Sequence, residues 1–259
     1  MNLMDYDWIV LNSSGGKDSQ TMIEVVYKMA VSQGFRLNRI VVAHADLGRV
    51  EWTGTKDLAE RQAKHYGLEF QAIARPQGDL LNHIESRGMW PSSTSRYCTS
   101  DHKRGQIGKI ITDLGRRLPG TIRVLNCMGL RAQESPARSK KVALVHDKRN
   151  STQRRHVDTW LPILDWTEDQ VWASIKETGV EYHKAYDLGM PRLSCVFCVF
   201  APKAALIIAG KHNPELLQEY VRVEAKIEHT FRQGLSIAEV AKAVEADEPV
   251  EAMDGNWNM

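Results

Sequence analysis

Two groups of residues in this chain have the types and spacing for chemistry. The first is Ser14-Gly15-Gly16-Lys17-Asp18-Ser19, set between a short apolar run, Asp7 to Ser13, and a segment from Gln20 to Gly34 with helical apolar spacing. A strand that ends in glycines at a helix N-terminus aims backbone N–H groups and the positive end of the helix dipole at a ligand, which makes an anion cradle. Gly15 and Gly16 let the backbone come close, and Lys17 adds a full positive charge. A plain βα turn with capping serines is the bland alternative. Two glycines, a lysine and an Asp-Ser pair meeting at one junction speak against it. The loop is not a Walker A motif, which would need glycine at Leu11 and Ser or Thr at Asp18.

The second group is sulfur. Cys195 and Cys198 form C-x-x-C, and Cys98 stands alone with His102 four residues on. Three thiolates could hold a [4Fe–4S] cluster with one open iron, or three corners of a zinc site with His102 as a fourth ligand. Without metal, the pair would be an inert turn or an exchanging dithiol. Cys127 falls in an apolar run and reads as buried.

Elements must position both groups. The chain has 259 residues, 42% hydrophobic and 25% charged, with a formal net charge of +2. Such a balance gives no global sign of a nucleic-acid binder. The N-terminus lacks a basic stretch followed by a long apolar one, no apolar run reaches membrane length, and the few cysteines do not suggest a disulfide framework. A cytoplasmic enzyme is expected. Strands are expected at 39–45, 69–74 and 121–128, with helices at 20–34, 53–66, 78–87 and 103–117 between them. This alternation predicts a parallel sheet with helices on both faces, and ligands at the carboxyl ends of its strands. Asp46-Leu47-Gly48-Arg49-Val50-Glu51-Trp52 sits at such an end, either as a polar turn or as backbone that reads an adenine edge. Thr167 reads as the N-cap of a helix through Lys176, with an acidic first turn and Val171, Trp172 and Ile175 buried.

The glycine loop resembles the PP-loop of the N-type ATP pyrophosphatases, which split ATP between the α- and β-phosphates. Further stretches resemble the phosphoadenylyl-sulfate (PAPS) reductase family within that superfamily: Arg96-Tyr97-Cys98-Thr99 with Lys103, Gly129-Leu130-Arg131-Ala132-Gln133-Glu134-Ser135 with Arg138, Leu161 to Thr167 with Val171-Trp172, and Cys195-Val196-Phe197-Cys198. They occur in the family's order over about residues 8 to 202. The set is most similar to the ATP-pyrophosphatase subunit of bacterial DNA phosphorothioation systems.

The resemblance implies a doubly wound, mainly parallel α/β sheet of the adenine nucleotide alpha-hydrolase type over residues 1–202, with a helical extension over 203–259. It implies that Ser14, Gly15, Gly16, Lys17, Asp18, Ser19, Asp46, Gly129, Arg131, Glu134 and Arg138 bind ATP. Lys17, Asp18 and Arg131 would be catalytic, with Asp18 meeting Mg²⁺ and Glu134 pairing an arginine or holding a metal-bound phosphate. Read physically, Arg96, Lys103, Arg131 and Arg138 are cations near element ends that could converge on a polyphosphate or a sulfated nucleotide. Cys98, Cys195 and Cys198 would hold a [4Fe–4S] cluster, with zinc as the alternative. The implied reaction splits ATP to AMP and pyrophosphate, adenylylates an acceptor such as nucleic acid, and transfers sulfur from a cysteine desulfurase or another donor. Sulfonucleotide reduction and non-catalytic nucleotide sensing are the alternatives. Assimilatory PAPS reductases use a cysteine in a Glu-Cys-Gly-type motif near the C-terminus, whereas no cysteine follows Cys198 in this sequence.

Two stretches remain. From Gly129 to His156 the chain is basic and poor in apolar residues, which predicts a mobile excursion: a lid over ATP, an attractor for a phosphate backbone, or both. From Pro202 on, helices are expected at 214–231 and 236–244, capped by Asn213 and Ser236, before a frayed tail over 246–259.

Overall fold

Alternation along one inner strand decides how the sheet is covered. The computed structural model of the chain describes residues 1–251 and 253. It contains β1 (Trp8–Ser13), β2 (Ile40–Asp46), β3 (Glu69–Ala74), β4 (Ile122–Met128), β5 (Leu144–His146) and β6 (Arg155–Trp160). The helices are α1 (Lys17–Gln33), α2 (Thr55–His65), α3 (Leu80–Arg87), α4 (Tyr97–Thr99), α5 (Gly105–Arg116), α6 (Pro136–Ser139), α7 (Glu168–Thr178), α8 (Lys203–His212), α9 (Pro214–Ile227) and α10 (Ile237–Glu245). The sheet order is β3-β2-β1-β4-β6-β5. β1 runs parallel to β2 and β4, β4 runs parallel to β6, and β5 is antiparallel to β6.

Successive side chains of β1 point to opposite faces. Ile9 and Leu11 pack with Met22, Ile23 and Val26 of α1. Trp8 and Val10 pack on the other side with Ile107, Ile110, Ile111 and Leu114 of α5. A strand buried on both faces must be apolar throughout, and this one nearly is. The architecture is the mostly parallel α/β sheet with helices on both faces that the alternation predicts.

The chain divides into two compact units that interleave in sequence. The first comprises residues 1–45, 54–73 and 104–183 and carries the body of the sheet. The second comprises residues 46–53, 74–103 and those from 184 onward. Its core is aromatic: the Trp90 ring lies 5.3 Å from that of Tyr220 and 5.2 Å from that of Phe231, and Phe197 lies 5.0 Å from Tyr220. The Trp90 indole N–H donates to the His229 carbonyl at 2.9 Å, so this large side chain is buried without an orphaned donor.

One expectation is corrected. The basic stretch 129–156 is not a free excursion, because it contains β5 and the start of β6, and β6 lies inside the sheet between β4 and β5. Polar residues hide the strand pattern. Val157 packs with the α5 side and Trp160 with the α1 side, while the buried Asp158 between them accepts from the Tyr6 hydroxyl at 2.9 Å. Caps fare differently at the two expected sites. Ser236 forms a reciprocal capping box with Glu239, whereas the Asn213 side chain donates back to the Ala209 carbonyl at 2.9 Å. Residues 252 and 254–259, half of the tail expected to fray, lie outside the described residues. Among the described residues, no helix is long and apolar enough to cross a membrane.

Candidate functional site

The loop after β1 has the geometry of an anion cradle. Gly15 takes φ +70°, in the left-handed region open to glycine, and Gly16 occupies the N-cap of α1. A glycine cap brings no side-chain oxygen to the first-turn N–H groups, which leaves their direction available to an incoming anion. Serines brace the loop instead. The Ser19 hydroxyl donates to the Gly16 carbonyl at 2.9 Å and accepts from the Ser14 N–H at 3.2 Å, and Ser13 Oγ accepts from the Gly15 N–H at 3.2 Å. Ser14 itself is exposed.

Two buried cations stand behind this loop. Lys17 is 1% exposed and Arg131 is 3% exposed, a state such residues reach only when paired. Arg131 Nε donates to Asp18 Oδ1 at 2.5 Å, and its Nη1 donates to the Gln133 side chain at 2.8 Å. Lys17 Nζ lies 3.4 Å from Glu168 Oε1, and Arg131 Nη2 lies 3.9 Å from Glu168 Oε2. Arg138 pairs with the buried Glu134, whose carboxylate also accepts from the Arg131 backbone N–H at 2.9 Å. Glu134 is thus the partner of an arginine. Arg131, Arg138, Lys17 and Asp18 all belong to the first unit.

Glu168 is the residue that sequence reasoning placed elsewhere. It reads as a first-turn acid of α7, and the Thr167–Gln170 capping box is indeed present. Its carboxylate nevertheless bridges the two buried cations. The signal for this role was the lysine itself, since a buried ammonium demands a carboxylate and the α7 cap is a place for one.

Gly129 is positioned by a close approach of backbones. A Cβ there would stand 2.5 Å from the Asp18 carbonyl oxygen and 2.8 Å from the Ser19 nitrogen. Neither atom can swing aside as a side chain would. Gly129→Ala is therefore expected to push the loop off the end of β4, with a stability cost of about 1–3 kcal/mol. Thermal denaturation of the variant beside wild type checks this, and an unchanged melting temperature would contradict it.

The second unit holds the sulfur. Cys98, Cys195 and Cys198 are half-buried free thiols. Cys195 is held by a bridge to Glu51, with the Val196 N–H donating to the Val50 carbonyl at 2.8 Å. The far side of the C-x-x-C turn is fixed by Arg232, whose Nη1 donates to the Ala201 carbonyl at 2.5 Å. Burial pushes the Cys195 thiol up to about 12, against the pull of Lys103, and raises Cys198 for the same first reason. Lys103 is exposed to solvent yet electrostatically surrounded. Burial disfavours its charge, but the facing Cys195, Cys98, Cys198 and Glu51 outweigh this and raise its pKa. Lys103, expected on a polyphosphate or sulfated nucleotide, therefore faces the thiols. Arg96, expected there too, lies over the Phe200 ring at 4.8 Å.

His102, the candidate fourth ligand, contacts another histidine. It is 1% exposed, and its Nε2 lies 3.0 Å from His83 Nδ1; desolvation in this packing lowers its pKa to about 4. Three thiols from two segments of this unit could serve either a [4Fe–4S] cluster with one open iron or three corners of a zinc site. Cys127 is fully buried in β4 and its thiol is pushed well up by burial, as expected of a core residue. Asp46 closes β2 with its Oδ1 accepting from the Gly48 N–H at 2.8 Å, a turn contact.

A basic groove completes the first unit. Arg104, Gly108, Thr112 and Arg116 recur every fourth residue along one face of α5, with Lys109 beside them. Across from them stand Arg149, Asn150 and Arg155, and together they line an open groove of about 380 Å³ that, among the described residues, no acidic side chain lines. Gly108 makes room, since a Cβ there would stand 2.9 Å from Asn150 Oδ1. Arg155 is fixed by its Nε–H bond to the Asn150 carbonyl at 2.8 Å, and burial together with neighbouring Arg116 lowers its pKa.

The phosphoadenosine phosphosulfate reductase domain family matches residues 8–201. An uncharacterized 37.8 kDa protein of Escherichia phage 186 is 31% identical over 183 residues, which cover 70% of this chain and 52% of that protein. The chain thus spans about half of that relative's length. Adenosine 5'-phosphosulfate reductase of Allochromatium vinosum is 26% identical over 201 residues, 76% of this chain and 70% of that enzyme. Among solved structures, the U34-tRNA thiolase NcsA of Methanococcus maripaludis with its [4Fe-4S] cluster has a TM-score of 0.53 at 16% identity, covering 96% of this chain and 75% of that one. This last likeness is one of fold.

Proposed function

The chain belongs to the phosphoadenosine phosphosulfate reductase domain family, and from that premise we propose that it splits ATP to AMP and pyrophosphate to adenylylate a nucleic-acid acceptor, which then takes up sulfur. The observation that carries this reading is the braced glycine loop backed by buried Lys17 and Arg131. ATP would lay its β- and γ-phosphates on the Gly15–Ser19 backbone. In the ligand-free protein Glu168 and Asp18 act as counterions to the two cations, and the polyphosphate would take over that role.

In the first step an acceptor oxygen attacks the α-phosphorus, the bond to the bridging oxygen breaks, and pyrophosphate leaves. Lys17 and the loop N–H groups stabilise the charge on the leaving group, where electrostatic preorganisation has most effect. Asp18 would meet Mg²⁺ through the oxygen that Arg131 does not occupy. In the second step sulfur attacks the activated acceptor atom and AMP leaves with the acceptor oxygen.

Cys98, Cys195 and Cys198 would hold the [4Fe–4S] cluster, which supplies when bound an iron with an open position for sulfur. The basic groove supports a nucleic-acid acceptor. Arg116→Glu combined with Lys109→Ala is expected to weaken nucleic-acid binding and to lower the slope of log K against log salt by about one for each phosphate no longer neutralised. Fluorescence anisotropy at several salt concentrations reads both; an unchanged slope would remove the groove from the reading.

Sulfonucleotide reduction is the second reading, favoured by the identity to the Allochromatium enzyme. Anaerobically purified protein, incubated with adenylyl sulfate and a thiol or with Mg-ATP, sulfide and pooled DNA and RNA, separates the two. Thiolated nucleic acid with AMP supports the proposal, its location on backbone phosphate or base naming the acceptor oxygen, and sulfite release supports the reductase.

A further inference from the structure

A second cluster of donors, none of them part of the site described above, lies at the sheet edge. His146 of β5 and Asp158 of β6 are direct partners in the antiparallel pair, and His156 precedes Asp158 by two residues on the same face of β6. The two imidazole rings stack with centroids 4.4 Å apart. His156 Nε2 lies 2.9 Å and His146 Nδ1 lies 3.4 Å from the same oxygen, Asp158 Oδ1. The other carboxylate oxygen is turned away and held: the Tyr6 hydroxyl donates to Oδ2 at 2.9 Å, and Arg123 Nη2 lies 3.7 Å from it.

We propose that His146, His156 and Asp158 form a site for a divalent transition-metal ion of the zinc, nickel or cobalt class. Two imidazole nitrogens and one carboxylate oxygen suit those ions, whereas magnesium and calcium prefer all-oxygen shells. The three donor atoms lie within 4.8 Å of one another. Ligands about 2.0–2.2 Å from a tetrahedral ion stand roughly 3.3–3.5 Å apart, so the two contacts to Oδ1 already have nearly the spacing that an ion imposes. Strand register and Tyr6 hold this arrangement, and orienting partners of that kind strengthen metal sites. The imidazole side is open to water, with side chains 39% exposed at His146 and 44% at His156, so an ion can enter and keep exchangeable ligands. Arg123 opposes the added charge and limits the affinity.

The consequence is a clamp. β5 is exposed at each of its residues and is antiparallel in an otherwise parallel neighbourhood. An ion joining His146 to β6 would tie this edge strand to the sheet and stabilise the fold by mass action. The site stands independently of the adenylylating activity.

The test uses tag-free protein carrying whatever its cysteines hold, titrated with Zn²⁺ by calorimetry and with Co²⁺ by absorbance. Wild type is expected to bind one ion with visible d–d bands and no thiolate charge transfer, and Zn²⁺ should raise its melting temperature. His146→Gln and His156→Gln should each weaken binding at least about tenfold, and Tyr6→Phe by about tenfold. Cys195→Ser should leave this site intact. Far-UV circular dichroism confirms that the glutamine variants fold. Wild-type affinity and stoichiometry in both glutamine variants, or no bound ion outside the cysteines in wild type, would overturn the site.

Discussion

Replacing Lys17 with methionine is expected to lower pyrophosphate release from ATP by about 10²–10³-fold, the usual effect of removing one preorganised donor from developing charge. Methionine keeps much of the length and the apolar stem, so the packing below the loop survives. Lys17 Nζ lies 6.0 Å from the centroid of the Trp172 ring, and that neighbourhood accepts a thioether. Glu168 does not become an orphan, because Arg131 remains 3.9 Å away and the carboxylate is 34% exposed. The loss should therefore fall on turnover more than on stability. Quantifying pyrophosphate and the melting temperature in parallel checks it; a rate within about threefold of wild type would show that Lys17 is not on the leaving group.

The second large effect lies in the other unit. Cys195→Ser with Cys198→Ser is expected to leave the purified protein almost free of iron and unable to thiolate nucleic acid, because a serine hydroxyl stays protonated and cannot replace a thiolate ligand. Pyrophosphate release should persist within about threefold, since the loop, Lys17 and Arg131 belong to the first unit. Cys127→Ser is the control. It buries a hydroxyl in a strand core, so it costs stability while iron content stays at the wild-type level. Equal iron in the double variant and wild type would contradict the assignment of the cysteines.

How much of this was readable depends on the kind of pattern each element carries. β1, β2 and β4 are apolar runs with turn signals, and the spacing of α1 and α5 is regular, so the α/β sheet follows from the sequence. β6 does not, because Asp158 is buried with Tyr6 as its partner and His156 and Arg155 serve local contacts. A long-range hydrogen bond leaves no local pattern. The glycine loop, Arg131, Arg138 and the thiols were visible as motifs. Glu168 and the turn of Lys103 toward the thiols were not, since both depend on which charges meet in space. Gly129 stood in a motif, but the reason for glycine is the Asp18 backbone, 111 residues away in sequence.

Which bond of ATP is broken tests the central claim most directly. Anaerobic single-turnover reactions with ATP labelled at the α-phosphate, Mg²⁺ and nucleic acid should yield labelled AMP with one pyrophosphate for each AMP, and acid quenching at early times should trap label on the nucleic acid. Labelled ADP with inorganic phosphate, or intact ATP with every nucleic acid supplied, would contradict it.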